Sequence, residues 1–464
     1  MATDLIDRDT IDSTYDIPGD IRNVWLGKGN DTLTIGGNAN YVNTSDGNDS
    51  ITIAGSVDCV DAGKGDDQID IGGDAKHVLL GSGNDTLKVG GNLGCVVNAC
   101  GGGDDQVTVG GNLGHANLGD GNNTVTVKGS ADCVITGQNN DTVLVTGDLK
   151  HACVGSGNNL IVTGGNADCL VAGSGSDRMF VFGSLKHANM GGGDNCIVVD
   201  GNAESIIGCG DVDAVKTGGN LKHACLGDGD NAVLVGVAGG NAVTGGDVGC
   251  LVTGNGNDRF VIYGNADHIN MGSGNNQAYI SGNVDCSVIG HWDSDSLQVD
   301  GNLKTTCLGS GDDQLVVRGS ANCVNLGDGQ DTAWIGTNAC IVDASCGNDT
   351  VYVGQNDGRV YMSLGDDTLA LAGFADRSVV DGGLGNDTLQ LVGDAADYTV
   401  DSSWNGKKLE ITNNATGEKM TAWWFEDLQF IDASAVPVND YIDPNFIEDV
   451  YNIQCFNTDV SNMI

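Results

Sequence analysis

Proline, aromatic residues and basic residues are all scarce in this chain of 464 residues. There are 3 prolines, and aromatic residues make up 5% of the sequence, too little for a conventional globular core of this length. Lysine and arginine total 20 against 63 aspartates and glutamates, which gives a net charge of −43. Nucleic acid is therefore excluded as a partner and anionic membranes are disfavoured, because both require a basic face.

Long apolar runs and common catalytic motifs are also missing. No apolar run approaches the ~20 residues that a transmembrane helix needs. The acidic N-terminal residues lack the apolar stretch of a secretory signal peptide. Neither H-E-x-x-H nor G-x-S-x-G occurs, and the repeat described next leaves no room for a catalytic domain, so we expect a protein that is not an enzyme.

Glycine, by contrast, is abundant at 75 residues, and it follows a repeat. A loop such as Gly27–Asp31 (GKGND) returns at a step of 18 residues, with two steps of 20, one of 19 and one of 27. The step of 27 suggests a half-coil unit of nine residues added once. Each loop precedes an alternating strand such as Thr124–Val127, and a second glycine corner precedes another strand. The pattern predicts an all-β, right-handed parallel β-roll or solenoid of about 20 coils.

The loop pattern G-x-G-x-D followed by an apolar strand resembles the calcium-binding nonapeptide repeat of RTX (hemolysin-type) proteins. The resemblance implies a parallel β-roll in which loop aspartates and loop carbonyls of neighbouring coils hold several calcium ions. The candidate calcium ligands that it assigns here are Asp31, Asp49, Asp67, Asp85, Asp105, Asn123, Asp141, Asn159, Asp177, Asn195, Asn231, Asp258, Asn276, Asp313, Asp331, Asp349, Asp367 and Asp387.

This sequence departs from the family pattern in three ways. Only one corner of each coil carries the motif, so we expect a single row of calcium. Five of the positions are asparagine, which keeps an oxygen ligand but loses a charge, so the affinity there should fall. The loops that end at Asp213 and Asp295 lack the glycine pattern, and we leave both residues out of the predicted set.

The repeat divides the chain into four predicted regions. Residues 1–24 form an N-terminal lead-in or cap, and residues 25–395 form the β-roll. Residues 396–436 are similar to the short β module that closes many exported RTX proteins, and we expect two or three capping strands. The acidic tail, residues 437–464, is compatible with the uncleaved type I secretion signal of that family; the alternative is a frayed terminus.

A second period of about 36 residues alternates cysteine and histidine at one position of the second strand. We expect these side chains to point outward, where they form a candidate zinc or copper site. The alternative is that duplication of a 36-residue unit merely copied them. The residues are Cys59, His77, Cys95, His115, Cys133, His151, Cys169, His187, His223, Cys250, His268 and Cys286.

The outward column of the loop-side strand begins with threonine and turns apolar and aromatic further along. Exposed apolar columns of this length are typical of contact surfaces. We therefore expect self-association or docking to a cell-surface partner through Phe180, Tyr279, Trp334 and Tyr352.

Together these features predict a calcium-binding extracellular repeat protein that folds on binding calcium. It would act as a scaffold or adhesin in a bacterial surface layer or matrix, secreted without an N-terminal signal peptide. The alternative functions are a transition-metal-binding solenoid and an ice-binding solenoid.

Overall fold

The chain folds as a parallel, right-handed-type β-solenoid of about 21 turns of about 18 residues, which confirms the predicted fold class. The computed structural model describes residues 4–98, 102–239, 242–288, 290–436, 444–458 and 463. Two compact units are present: Met1–Cys209 together with Gln454–Ile464, and Gly210–Ile453. The part of the predicted tail at 437–443, 459–462 and 464 lies outside the described residues.

In the first unit, each turn has one strand directly after the glycine loop, the loop-side strand, and one after the second corner, the far strand. The loop-side strands are Thr14–Ile17, Thr32–Ile35, Ser50–Ile53, Gln68–Ile71, Thr86–Val89, Gln106–Val109, Thr124–Val127, Thr142–Val145, Leu160–Thr163, Arg178–Val181 and Cys196–Val199. The far strands are Asp4–Ile6, Ile21–Trp25, Ala39–Asn43, Val57–Asp61, Ala75–Leu79, Leu93–Val97, Leu113–Asn117, Ala131–Ile135, Leu149–Cys153, Ala167–Val171, Leu185–Asn189 and Ala203–Ile207.

The second unit also has loop-side and far strands, and two long strands in it pass through the second corner. The loop-side strands are Ala214–Thr217, Ala232–Val235, Arg259–Ile262, Gln277–Ile280, Ser296–Val299, Gln314–Val317, Thr368–Leu371 and Thr388–Val392. The far strands are Leu221–Cys225, Val248–Val252, Ala266–Asn270, Val284–Val288, Leu303–Ser310, Ala321–Asp328 and Ser378–Asp381. The two that serve both rows are Thr332–Asp343 and Thr350–Tyr361.

The core is built from apolar columns of both rows of strands, and on the loop-side strands two such columns are stacked in register. Leu87 pairs with Ile69 of the preceding turn and with Val107 of the following one, and all three are buried. β-Branched and leucine side chains suit this arrangement because successive strand residues point to opposite faces. The predicted inward-facing columns are therefore confirmed.

Parallel pairing also includes residues that the sequence analysis placed in a separate N-terminal segment. Asp4–Ile6 pairs with Ile21–Trp25, and Thr14–Ile17 pairs with Thr32–Ile35. The glycine loop is absent there, but strand register does not depend on it.

The nine extra residues in the step of 27 are not half a coil, as the spacing suggested. Val237–Gly239 and Ala242–Thr244 pair antiparallel with each other as a hairpin. The coil continues past the hairpin, because Asn231 N–H still donates to Asp258 Oδ1 of the next turn at 2.8 Å.

Residues after 395 form additional strands, as predicted. Tyr398–Ser403, Lys408–Asn413 and Lys419–Trp423 form an antiparallel meander. Lys419–Trp423 and then Asp427–Ile431 pair parallel with the last far and loop-side strands of the solenoid. These strands therefore hydrogen-bond to edges that would otherwise expose unpaired backbone groups.

The helical elements are short. The α-helix is Pro444–Tyr451, and the 3-10 turns are Ala395–Asp397, Trp404–Gly406, Ala433–Ala435 and Gln454–Asn457. Within the described part of the chain, no helix has the length and apolar character needed to cross a membrane.

Candidate metal centre

The predicted calcium positions form a buried row on the inner side of the glycine loops. Every aspartate and asparagine of the predicted set is at most 3% exposed. Asp213 and Asp295, which the sequence analysis left out, belong to the same row. Asp213 N–H donates to Asn231 Oδ1 at 3.0 Å, and Asp295 N–H donates to Asp313 Oδ1 at 2.8 Å. Strand register, rather than the glycine pattern, therefore sets their position in the row.

One oxygen of each side chain in the row is used by a backbone ladder. The N–H of Asp31 donates to Asp49 Oδ1, that of Asp49 to Asp67 Oδ1, and that of Asp67 to Asp85 Oδ1, each at 2.8 Å. Asparagine satisfies this bond equally well, since its Oδ1 is also an acceptor. The ladder therefore explains the fixed offset of the side chain but not the preference for a carboxylate.

The second carboxylate oxygen has no hydrogen-bond partner in most of these turns, although it is buried. An unpartnered buried polar atom costs about 1–3 kcal/mol, and a buried unpaired charge costs more. A row of them would exceed the ~5–15 kcal/mol that keeps a typical domain folded. A hydrogen-bond donor, a proton or a cation at these oxygens would remove this cost. They are the Oδ2 atoms of Asp31, Asp49, Asp67, Asp85, Asp141, Asp177, Asp258, Asp295, Asp313, Asp331, Asp349, Asp367 and Asp387.

Burial raises the pKa of these carboxyl groups, and neighbouring carboxylates raise it further. The pKa of Asp67 and of Asp85 is about 7, and that of Asp313 is about 8. In the central region, where asparagines alternate with aspartates, burial raises the pKa of Asp141 and of Asp177 to about 6. Burial acts along the whole row, since the pKa of Asp258, which lies between two asparagine turns, is also about 7.

Asp105 is an exception among the predicted ligands. Its Oδ2 accepts a hydrogen bond from Asn98 Nδ2 at 2.8 Å. Asn98 directly follows the far strand Leu93–Val97, at the position that Leu80 and Leu118 take in the neighbouring turns. In the preceding aspartate turns the Oδ2 atom has no hydrogen-bond partner. In the Asp105 turn an amide donates to it.

The glycine loops place backbone carbonyls beside the row. Gly83 has a φ of +129°, and a Cβ at this position would overlap the carbonyl oxygen of Gly65 in the previous turn. Gly121 and Gly175 repeat this arrangement against Gly103 and Gly157. Glycine tolerates both the positive φ and the close stacking of loops without strain, although Asn139 and Asp211 take the same loop position with φ values of +86° and +67°. Carbonyl and carboxylate oxygens at this corner are the ligand types that calcium prefers.

The cysteine–histidine column lies on the outer face of the far strands, as predicted. His151 pairs directly with Cys133 on one side and with Cys169 on the other. The residues preceding this column form ion pairs, such as Lys150–Asp132 at 2.6 Å and Lys186–Asp168 at 2.7 Å. Among the described residues, no group of three or more His, Cys, Asp and Glu side chains is arranged to hold a metal ion. A metal in the aspartate row would therefore depend on backbone carbonyls.

The apolar column on the loop-side strands is not the open surface that the sequence predicted. Phe180 is 4% exposed and packs with Val162. The C-terminal segment Gln454–Asn457 lies at this face, because Cys455 forms a disulfide with Cys196 on the strand next to Phe180. The prediction that Phe180 is exposed was wrong, because sequence period alone does not show where the tail folds.

The helix Pro444–Tyr451 covers the same face within the second unit. It contacts the strands Ala232–Val235 and Arg259–Ile262, and its Phe446 and Val450 are buried. Further along, Tyr279, Trp334 and Tyr352 are half-buried, and Trp334 stacks on Tyr352 with ring centroids 5.7 Å apart. These three aromatics are the part of the predicted contact surface that retains exposure.

Comparison with known proteins adds no family assignment: no protein-family model matches the chain, and neither do curated proteins or solved structures.

Proposed function

We propose that this chain is a calcium-binding repeat protein of the RTX type, which acts as an extracellular structural scaffold or adhesin. The observation that supports the proposal is the row of buried Oδ2 oxygens that lack hydrogen-bond partners. Asparagine would have served the backbone ladder without this cost. The retained carboxylates are accounted for if a cation neutralises them.

Calcium fits this row better than the other biological cations do. Calcium accepts six to eight oxygen ligands in flexible geometry and uses backbone carbonyls readily. Magnesium demands near-octahedral geometry and keeps its water, which a row at most 2% exposed at its aspartates does not offer. Zinc and copper prefer nitrogen and sulfur ligands, which this row lacks.

The charge of the chain links calcium to folding. Carboxylates on consecutive strands are about 4.8 Å apart and repel one another when ionised. A ligand that binds only the folded state stabilises that state by mass action. In calcium-poor cytosol the chain would stay unfolded and suited to export, and it would fold outside the cell. A folded solenoid without a catalytic module is suited to surface-layer, matrix or adhesive roles.

The test is far-UV circular dichroism of the chelated full-length chain at neutral pH during a calcium titration. We expect a cooperative gain of β signal at about 0.1–1 mM calcium, the range of extracellular calcium modules. Magnesium at the same concentration and ionic strength is the control, because it screens charge equally but does not suit the row. Full β structure in chelator at neutral pH, or folding driven equally by magnesium, would contradict the proposal. Folding driven by zinc instead would favour the cysteine–histidine column.

A further inference from the structure

In four of the five asparagine turns of the row, the side chain places an N–H donor where an aspartate places its second oxygen. Asn123 Oδ1 accepts the N–H of Asp105 at 3.1 Å, so its amide nitrogen points toward its own loop. There Nδ2 donates to the carbonyls of Gly119 at 3.0 Å and Gly121 at 3.1 Å. The backbone ladder thus fixes which end of the amide meets the loop.

Other asparagine turns repeat the geometry. Asn159 Nδ2 donates to the carbonyls of Gly155 and Gly157 at 3.3 and 3.1 Å. Asn231 Nδ2 donates to the carbonyls of Gly227 and Gly229 at 3.1 and 2.8 Å. Asn195 Nδ2 donates to the carbonyl of Gly193, in its own loop, at 2.6 Å. Asn276 is the exception, because its Nδ2 has no partner. In four turns, therefore, an N–H donor binds the loop carbonyls.

An aspartate in the same register presents an oxygen where asparagine presents this donor. The Oδ1 atoms of Asp141 and Asp177 each accept the same backbone bond at 2.8 Å, and their Oδ2 atoms are buried without a hydrogen-bond partner. A carboxylate oxygen then stands where the amide donor stands in the asparagine turns, and it and the loop carbonyls repel each other unless a positive charge or a hydrogen-bond donor lies between them. The asparagine amide and a bound cation are therefore two alternative ways of stabilising the loop carbonyls.

We infer that the amide group of asparagine replaces the cation, so that asparagine turns are metal-free and only aspartate turns bind calcium. This inference rests on the proposed calcium function and specifies its sites. Calcium then forms two continuous series, separated by a central region in which aspartate turns are single. The first series is Asp31, Asp49, Asp67 and Asp85; the second is Asp295, Asp313, Asp331, Asp349, Asp367 and Asp387.

The arrangement also orders the sites by affinity. Affinity for calcium rises with the number of charged ligands. In the continuous series a cation between turns has a carboxylate on both sides, whereas Asp141 has Asn123 before it and Asn159 after it. The two series should fill first and the single central turns last. In the central region, the asparagine amides also keep the loop carbonyls hydrogen-bonded when the calcium concentration is low.

Single substitutions that exchange one oxygen for one nitrogen test the inference. In the full-length chain, Asp141→Asn should lose one bound calcium and gain β signal in chelator. Asn123→Asp should gain one bound calcium and lose β signal in chelator. Bound calcium is counted by equilibrium dialysis with radioactive calcium at saturation, and circular dichroism checks folding of each variant.

A matched control separates the buried row from charge in general. Asn122→Asp introduces the same charge one residue earlier, at an exposed side chain whose Oδ1 accepts the N–H of Asn140. It should leave the calcium count unchanged. If Asn123→Asp does not fold even in calcium, Asp141→Asn decides the matter by itself.

The outcomes separate this inference from the function on which it rests. A wild-type chain that binds no calcium overturns the proposed function. A wild-type chain that binds calcium and loses none on Asp141→Asn overturns the inference alone, because asparagine turns would then bind calcium as aspartate turns do. Loss of one calcium by Asp141→Asn and no change in Asn122→Asp support both.

Discussion

Cys196 and Cys455 form a disulfide across 259 residues of sequence, and it holds the C-terminal segment on the loop-side face of the first unit. Cys455 and its neighbour Phe456 are both buried there. The other cysteines of the described chain are free, and several are exposed, including Cys153, Cys225 and Cys307. Among the described cysteines, this disulfide pair is therefore the one that connects the C-terminal segment to the solenoid.

We expect Cys455→Ser to release this segment and expose Phe180 and Val162. Binding of an apolar dye should increase, and limited proteolysis should remove the tail first, because its contact area is small. The calcium-induced β signal should remain, since the aspartate row is untouched. Cys225→Ser, at an exposed free cysteine, is the control and should change none of these measurements. An unchanged proteolytic pattern in Cys455→Ser would show that the tail does not depend on the disulfide.

Close stacking of the loops predicts a strong effect for one glycine and a weak one for another. Gly175 has a φ of +135°, and a Cβ there would overlap the carbonyl oxygen of Gly157. Gly175→Ala should lower the thermal midpoint and raise the calcium concentration needed for folding, since strain at such a position alone costs about 1–3 kcal/mol. Gly192→Ala is the matched control, because no atom lies within 4 Å of its Cβ position. Equal effects of the two substitutions, measured by thermal and calcium titrations, would contradict the stacking argument.

The raised pKa values predict that protonation of the aspartate row at low pH stabilises the folded state in the absence of calcium. The pKa of Asp67 and of Asp85 is about 7 and that of Asp313 about 8 in the folded chain, against about 3.9 when unfolded. The folded state therefore holds protons that the unfolded state releases. Stability from these groups is complete below about pH 4 and is lost as the pH rises through 7 to 8. A protonated carboxyl can also donate to the loop carbonyls, as asparagine does.

Calcium-free chain should therefore be folded at about pH 5 and unfolded at about pH 8, with circular dichroism as the measurement. Asp67→Asn should shift the unfolding midpoint to higher pH, because one buried carboxyl is removed. Asp74→Asn is the control: Asp74 is exposed and its Oδ1 accepts the N–H of Asn92, so the midpoint should move little. Unfolding on acidification of the calcium-free chain would contradict the assigned sign.

The hairpin between Ala232–Val235 and Val248–Val252 should be dispensable. Deleting residues 236–244 joins the end of one strand to the glycine corner that normally follows, and it restores the spacing of 18 residues. Because Asn231 already bonds to Asp258 across the insertion, we expect unchanged calcium binding and β signal. Deleting residues 245–253 also removes nine residues, but it takes the far strand Val248–Val252 and should abolish folding of that region. Loss of folding in the first deletion would show that the hairpin is part of the coil.

Sequence alone determined the periodic part of this protein. The repeat of 18 residues placed the strands, the apolar columns such as Leu87 and Val107, and the buried side chains of the aspartate row. The reason is physical: each turn contacts mainly its neighbours, so local pattern and packing repeat together. Asp213 and Asp295 lie in the same kind of backbone ladder although their loops lack the glycine pattern, because the backbone register persists there.

Tertiary structure alone decided the contacts that do not follow the period. The burial of Phe180 depends on a segment more than 250 residues further along the chain, and no local spacing encodes that distance. The role of Asn123 depended on which of its two polar atoms meets the loop, and the hydrogen bond from Asp105 in the neighbouring turn settles this. Composition and spacing identify the residues in each turn, whereas the direction of an amide and the path of a tail are set by three-dimensional packing.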